Sequence, residues 1–461
     1  MADDLRIESA PIPGMLVVHL PVHGDARGWF KENWQRRKMV DLGLPDFEPV
    51  QNNMSYNAER GATRGIHAEP WDKFVSVASG RVFAAWVDLR EGPSFGATFS
   101  IEIDETIAVY VPRGVGNSYQ ALADHTVYSY LVNDHWRPGI AYPAVNLADE
   151  TAAIAWPIPL AEAEVSEKDR ANPRLADVTP MAPRKTLIVG SYGQLGRALA
   201  RVFPEADLVD RDTLDLTSPE QVAAWPWSEY AVVLNAAAYT AVDRAETPEG
   251  RRDAWAANAT AVARLAEVAR EHRLTLVHYS TDYVFDGTAK EHDEIEPLTP
   301  LGVYGQSKAA GDIAAASAPR HYVLRTSWVI GEGNNFVRTM VSLAEKGVEP
   351  SVVDDQVGRL SFTSTLADAT AHLLRSGAVY GTYNCTNGGE ALSWYEIAAE
   401  VFALSGRSRE DVSPTSTEAY YRGKEGIAPR PLNSLLTLDK LRATGFEPED
   451  QLDALRRYLA E

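Results

Sequence analysis

Apolar and polar positions follow two rhythms along this chain. Through residue 160 the apolar residues fall in short alternating or continuous runs: "GMLVVHL", "KFVSVASGRVFAAWVDLR", "FSIEI", "TIAVYVP" and "VYSYLVN". Gly, Pro, Asn and Asp punctuate them, a pattern that predicts an all-β sandwich or barrel. One short helical stretch is expected near "FKENWQRRKMVDLG". From residue 185 the rhythm changes. Apolar strands ("TLIVG", "AVVLNAA", "LTLVHYS", "HYVLRTS") alternate with alanine-rich helical stretches such as "ATAVARLAEVAREH". That alternation predicts a parallel sheet covered by helices on both faces. Between the two lies "RANPRLADVTPMAPRK", where Pro173, Pro180 and Pro183 and the lack of periodicity predict a linker. The expected organisation is therefore a β-domain over 1–169, a linker over 170–184 and an α/β domain over 185–461.

Composition narrows the class. At roughly 100–200 residues per domain, 461 residues agree with this division. Hydrophobic residues at 45% and charged residues at 23% are ordinary for a soluble globular protein. No apolar run approaches the ~20 residues that span a bilayer, and the acidic start "MADDLRIESA" lacks the apolar core of a signal peptide. A single cysteine, Cys385, excludes an intrachain disulfide and a thiolate metal cluster, so a reducing, cytoplasmic setting is expected. The net charge of −20 comes without a basic cluster, so a nucleic-acid polymer is not an expected partner.

The chemistry of the second half starts at "GSYGQLG". Gly190, Gly193 and Gly196 follow the strand Leu187-Ile188-Val189 and open the helix "QLGRALARVF". Such glycines let the backbone approach a pyrophosphate, which then rests on the helix N-terminus. The next strand ends in "LVDRDTLDLT": Asp210 or Asp212 suits a ribose hydroxyl and Arg211 a 2′-phosphate, leaving NADPH and NADH both open. "HYSTDYVFDG" places Ser280, Thr281 and Asp282 at a strand's carboxyl end. "YGQSK" sets Tyr304 and Lys308 four apart, on one helix face. An ammonium near a phenol is expected to lower the phenol's pKa, and such a tyrosine gives a proton to a carbonyl oxygen as a hydride arrives at carbon.

This constellation resembles the extended short-chain dehydrogenase/reductases and, more narrowly, the dTDP-4-dehydrorhamnose reductases. The resemblance runs through "NAAAYTAVDRAE", "RTSWV", "NNF", "DDQVGR", "SWYEIA" and "PRPLNSLL" and covers 185–461. It implies hydride transfer from NADPH or NADH to the C4 ketone of a dTDP-linked 4-keto-6-deoxyhexose, with Thr281, Tyr304 and Lys308 catalytic. Implied cofactor contacts are Gly190, Tyr192, Gly193, Gln194, Leu195, Gly196, Asp210, Arg211, Asp215, Asn235, Ala236, Ala237, Tyr239 and Lys308. Implied substrate contacts are Thr240, Val242, Asp243, Tyr283, Trp328, Asn335, Phe336, Gln356 and Arg430. A bound Mg²⁺ is left open.

In the first half "GATRGIHAEPWDKFVSVASGRVFAAWVDLR" carries the candidate chemistry. It offers one histidine, His67, and one nearby glutamate, where a metal-binding strand shows two histidines and a carboxylate, so no metal site is expected. With "DARGWFKE", "VQNNMSYN" and "VSEKDRANPRL" it resembles the dTDP-4-dehydrorhamnose 3,5-epimerases over residues 5–175, a family of metal-free jelly-roll cupins. The resemblance implies His67 as base, Asp169 as its partner and Lys73 as enolate stabiliser. It also implies diphosphate contacts from Arg27 and Arg64, and substrate contacts from Phe30, Glu32, Gln51 and Asn53. A homodimer through the cupin half is a further implication. Two positions depart from the family: Asn117 stands where histidine is common, and Trp136 where the reprotonating tyrosine is expected. Tyr119, Tyr128, Tyr130, His135 or water would then take that role, or the half inverts one centre only, or it binds without turnover. The reading is a bifunctional enzyme of dTDP-L-rhamnose formation; the alternative is a reductase whose cupin half only binds or dimerises.

Overall fold

A computed structural model describes residues 4–136 and 139–460. The chain divides into two compact units, 1–183 and 184–461.

The first unit is strand-rich. One sheet contains β1 (Arg6–Ser9), β2 (Leu16–His19), β5 (Gln51–Asn57), β7 (Lys73–Ser79), β10 (Ile107–Val111) and β12 (Thr126–Val132), in the order β1-β2-β10-β7-β12-β5. The other contains β6 (Ala62–His67), β8 (Val82–Asp88), β9 (Thr98–Ile103), β11 (Val115–Ala121) and β13 (Glu164–Val165), in the order β13-β6-β11-β8-β9. Neighbours are antiparallel except β13 with β6. Successive side chains on a strand point to opposite faces, so alternate residues of both sheets meet in one cluster. Val75, Val77, Val109 and Tyr128 come from the first sheet; Val82, Ala84, Trp86 and Tyr119 come from the second. On the first sheet's other face, Phe74 and Tyr110 pack with Phe47 and Met39, the latter from the short helix Arg36–Asp41. β3 (Val22–Asp25) and β4 (Gly28–Lys31) form a separate exposed hairpin.

Residues 170–183, expected as a linker, instead pack on the first unit. Leu175 is buried with Val87 and Leu89, and the Met181 N–H donates to the Leu89 carbonyl at 2.7 Å. The prolines keep regular structure short, a single 3-10 turn over Leu175–Asp177 and a bridge of Met181 with Arg90, but do not prevent Leu175 and Met181 from burying their side chains.

The second unit is built on a six-stranded parallel sheet: β14 (Lys185–Val189), β15 (Asp207–Val209), β16 (Tyr230–Asn235), β17 (Thr275–Thr281), β18 (His321–Thr326) and the edge strand Gly381–Asn384. The order is β15-β14-β16-β17-β18-edge. Leu187 and Val189 bury against Val262 and Leu265 on one face, while Ile188 buries against Leu199 and Leu366 on the other. Helices thus cover both faces. β14 has β15 on one side and β16 on the other, so the connections leave it in opposite directions and open a crevice at its carboxyl end. A third cluster, with Val337, Met340, Ile397, Phe402 and Leu455, lies outside the sheet and forms the smaller subdomain. Among the described residues no helix is long and apolar enough to cross a membrane.

Candidate functional site

In the first unit a cavity of about 590 Å³ opens at the end of β6. His67 and Asp169 both line it, with His67 Nε2 2.8 Å from Asp169 Oδ1. The carboxylate therefore engages Nε2 and leaves Nδ1 as the nitrogen able to take a proton. Burial pushes the Asp169 carboxyl up, but hydrogen bonds from His67 and around Ser166 outweigh it and hold it below its ordinary value. The register of β11 against β6 shifts between Asn117 and Tyr119, directly beside His67. Gly65 sits at that irregularity with φ +117°, and a Cβ there would lie 2.6 Å from the Asn117 carbonyl oxygen. Only glycine allows that approach.

Arg64 lines the same cavity and donates to Asn57 Oδ1 at 3.3 Å. Lys73 does not reach the wall. It is buried, and its ammonium pairs with the carboxylate of Glu69, which does line the cavity. Arg27 is not at the site either: it lies on the exposed hairpin and pairs with Asp25. Phe30 and Glu32 line a separate recess of about 420 Å³ with His23 and Lys38. Gln51 and Asn53 bond each other at 2.8 Å on the β5 face that also carries Ser55 and Asn57, beyond the cavity wall.

The two departures have different fates. Asn117 Oδ1 accepts from Trp86 Nε1 at 2.9 Å and from the Tyr128 hydroxyl at 3.0 Å, two bonds that a single imidazole nitrogen cannot accept together. Trp136 is 59% exposed and does not line the cavity. Of the alternative acids, Tyr128 is fully buried on Asn117 and burial drives its pKa well up. Tyr119 is committed to Ser55 at 2.8 Å, and His135 faces Gln51 at 3.2 Å. Tyr130 lines the cavity, and its hydroxyl has no hydrogen-bond partner among the described residues.

In the second unit the crevice at the carboxyl end of β14 has a volume of about 710 Å³. Gly190, Gly193, Asp210, Arg211, Asp215, Ala236, Ala237 and Tyr239 line it. Tyr192, Gln194, Leu195, Gly196 and Asn235 do not, although all lie in the glycine turn or at the end of β16. The fit to a dinucleotide rests on the glycines and on orphaned atoms. A Cβ on Gly190 would lie 2.7 Å from the Ala237 nitrogen, and one on Gly196 2.2 Å from the Gly190 carbonyl oxygen. Ser191 Oγ and Gln194 Oε1 are buried without partners among the described residues. Gly196→Ala is therefore expected to cost about 1–3 kcal/mol of stability and to weaken dinucleotide binding, checked by thermal unfolding and NADPH titration.

Thr281 ends β17, and its hydroxyl donates to Asp282 Oδ1 at 3.0 Å. Tyr304 and Lys308 lie on the helix Val303–Ala316. The expected lowering of the Tyr304 pKa by Lys308 is not what the structure gives. Burial first, then the Asp282 charge, raises the phenol, with Thr281 opposing. Lys308 is turned to other partners, the Tyr279 carbonyl at 2.6 Å and His278 Nε2 at 3.3 Å, and burial pushes it down to about 8. Asp282 is pushed up to about 6 by burial, against hydrogen bonds from Ser434 and Thr281.

Of the substrate residues, Tyr283 packs edge-on against Tyr304 at 5.5 Å between ring centroids. Trp328, at φ +47°, stacks on Trp394 at 3.8 Å, and Phe336 packs on the same indole at 4.4 Å. Asp243 and Arg430 pair with each other at 2.9 Å beside exposed Thr240 and half-buried Val242. Gln356 is buried and donates to Thr417 at 3.0 Å. Asn335 differs from expectation: its Oδ1 caps the helix Phe336–Glu345, and its Nδ2 donates to the Gly331 carbonyl and Tyr458. Those bonds use its polar atoms for folding. Glu69, Trp394 and His278 were missed in the sequence; an isolated residue of each type carries no distinctive spacing. Among the described residues no group of three or more His, Cys, Asp or Glu is placed to hold a metal, so the residues present do not fit a protein-held Mg²⁺.

The second unit has the fold and the Thr-Tyr-Lys arrangement of a short-chain dehydrogenase/reductase, preceded by a β-unit with its own His-Asp pair. A family model described as "RmlD substrate binding domain" matches residues 184–461, and one described as "dTDP-4-dehydrorhamnose 3,5-epimerase" matches residues 9–177. The chain belongs to the RmlD substrate binding domain family, joined to a dTDP-4-dehydrorhamnose 3,5-epimerase family unit. It is 49% identical over 184 residues to the protein RmlC homolog of Streptococcus pyogenes, covering 38% of this chain and 92% of that one. It is 37% identical over 295 residues to the dTDP-4-dehydrorhamnose reductase of Aggregatibacter actinomycetemcomitans, covering 60% and 98%. The crystal structure of dTDP-4-dehydrorhamnose reductase from Bacillus anthracis in complex with NADP is similar at a TM-score of 0.56 and 32% identity, covering 60% of this chain and 99% of that one.

Proposed function

We propose that the chain catalyses two consecutive steps toward dTDP-L-rhamnose. The first unit, read as a jelly-roll cupin, epimerises dTDP-4-dehydro-6-deoxy-D-glucose at C3 and C5. The second reduces the C4 ketone with NADPH or NADH. The observation that carries this reading is that one chain holds both a cavity-lining His67–Asp169 pair and, four apart on one helix, a half-buried Tyr304 and a buried Lys308.

The C4 ketone acidifies the protons at C3 and C5. His67 takes such a proton on Nδ1 while Asp169 stabilises the imidazolium through Nε2. Tyr130, with its uncommitted hydroxyl, returns a proton from the opposite side. Arg64 holds the diphosphate from the cavity wall. Lys73 supplies the positive charge that answers the enolate, and its pairing with Glu69 makes loosening of that pair part of the step. Trp136 and Asn117 do not favour the binding-only alternative, because one lies off the cavity and the other is a hydrogen-bond hub.

In the second unit the glycine turn and the β16 end hold the dinucleotide, which when bound supplies the hydride. Tyr304 keeps its proton because burial and Asp282 raise its pKa, and it delivers that proton to the carbonyl oxygen. Tyr283 and the Trp328–Trp394 stack flank the sugar. The exposed apolar side chains Trp29, Phe30, Met54 and Tyr56 suit a homodimer through the first unit, to be tested by sedimentation.

The test is deuterium wash-in with the full chain, the 4-keto sugar nucleotide and D₂O, without nicotinamide. Exchange at both C3 and C5 is expected. Exchange at C3 alone would make the first unit a mono-epimerase, and none would remove the epimerase claim.

A further inference from the structure

Beneath the reductase crevice lies a buried polar chain that the catalytic trio does not explain. His278, on β17, is fully buried. Its Nδ1 is 3.1 Å from the side-chain amide nitrogen of Asn235, and its Nε2 is 3.3 Å from Lys308 Nζ. Both ring nitrogens thus face hydrogen-bond donors. A neutral imidazole carries one N–H and one lone pair, so it cannot accept from both. Protonating it makes matters worse, since a second cation would then sit against the ammonium in a buried site. Burial and Lys308 both hold His278 well below its ordinary pKa.

The way out is given by a second observation. Asn235 Oδ1 is buried without a hydrogen-bond partner among the described residues. Amide oxygen and nitrogen are assigned from their bonding partners, and because no partner holds Oδ1 where it stands, exchanging the two costs no bond and resolves the conflict at His278. Oδ1 then accepts from His278 Nδ1–H, and Nε2 is left bare to accept from Lys308.

We propose that His278 is a positioning residue of the reductase: an Nδ1-protonated imidazole, fixed by Asn235, whose bare Nε2 holds the Lys308 ammonium in place. With the Tyr279 carbonyl at 2.6 Å, two of the three ammonium donors are committed, leaving one for the reacting end of the site. The proposal rests on the reductase reading above. The other charged or titratable groups packed here are Asp312, paired with Arg325 at 2.9 Å, and Tyr304 and Asp282 nearer the crevice. The competing arrangement, Nε2–H donating to an uncharged lysine, requires Lys308 to have lost its proton.

Two measurements on the full chain test this. In ¹⁵N-histidine-labelled protein at pH 7, the signal that disappears in His278→Gln should be that of an Nδ1–H tautomer. An Nε2–H tautomer or an imidazolium there would overturn the proposal whether or not the enzyme reduces sugars. In the NADPH-oxidation assay, wild-type activity should fall as pH rises through about 8, where Lys308 loses its proton. His278→Leu removes an acceptor that favours the charged lysine, so the alkaline limb should move down by about one pH unit and kcat should fall roughly 10–100-fold. His278→Gln, which retains an acceptor, should restore the limb toward wild type. An unmoved limb in a folded His278→Leu protein would overturn the proposal. Absence of NADPH oxidation in the wild type would instead count against the reductase reading.

Discussion

Tyr304→Phe is expected to lower NADPH-dependent reduction by ~10²–10⁴-fold, the usual contribution of a positioned general acid. Each tenfold corresponds to about 1.4 kcal/mol of transition-state stabilisation. The substitution is close to isosteric. The ring keeps its edge-on contact with Tyr283, and the burial that raises the phenol's pKa also makes a phenyl ring comfortable there. What is lost is the only proton that this side chain can give. The decrease should therefore appear in kcat, with KM for the sugar nucleotide nearly unchanged, since an interaction made only in the transition state has been removed. Deuterium wash-in at C3 and C5 should continue at the wild-type rate, because that chemistry belongs to the first unit. A variant that reduces substrate within threefold of wild type would show that Tyr304 is not the proton donor.

His67→Ala should have the complementary phenotype. Wash-in at both carbons should fall by ~10²–10⁴-fold, while reduction of a supplied dTDP-4-dehydro-L-rhamnose continues. The Nε2 contact at 2.8 Å assigns the free lone pair to Nδ1 and sets Asp169 to hold the ring. Removing the imidazole also removes the largest interaction that lowers the Asp169 pKa against burial. The sign follows: a lowered folded-state pKa stabilises the protein above the unfolded value and loses that contribution as pH falls through the folded one. Wild type should therefore lose more stability than His67→Ala when acidified below about pH 4, near the ordinary carboxyl value. Wash-in that survives in the variant would place the base elsewhere in the cavity.

These two sites were legible to different depths. The glycine turn could be read because its residue types answer a local demand: Gly190 and Gly196 are packed against backbone that leaves no room for a Cβ. The strand and helix rhythms were legible because burial on a sheet face imposes them, as the split of Leu187 and Ile188 between two cores shows. What escaped were partnerships formed over long stretches of chain. Lys73 reads as a free cation until Glu69 is seen against it, and Asn335 reads as a contact for sugar until the helix it caps and Tyr458 absorb its polar atoms. Trp394 reaches Trp328 across 66 positions, and the stack they make has no signature in either stretch alone. The family resemblance implies substrate contacts from Arg27, Phe30 and Glu32, and in this chain the hairpin and the stretch after it set them off the wall of the His67 cavity. The pKa of Tyr304 was misjudged for a related reason: Lys308 is close along the helix, but its ammonium is held by Tyr279 and His278.

The most direct measurement uses the full chain, dTDP-4-dehydro-6-deoxy-D-glucose and NADPH together in D₂O, with the product identified by NMR. The prediction is stoichiometric NADPH oxidation and dTDP-L-rhamnose carrying solvent deuterium at C3 and C5 and protium from the cofactor at C4. A C4-reduced product that retains the D-configuration and carries no deuterium, or no NADPH oxidation at all, would contradict it.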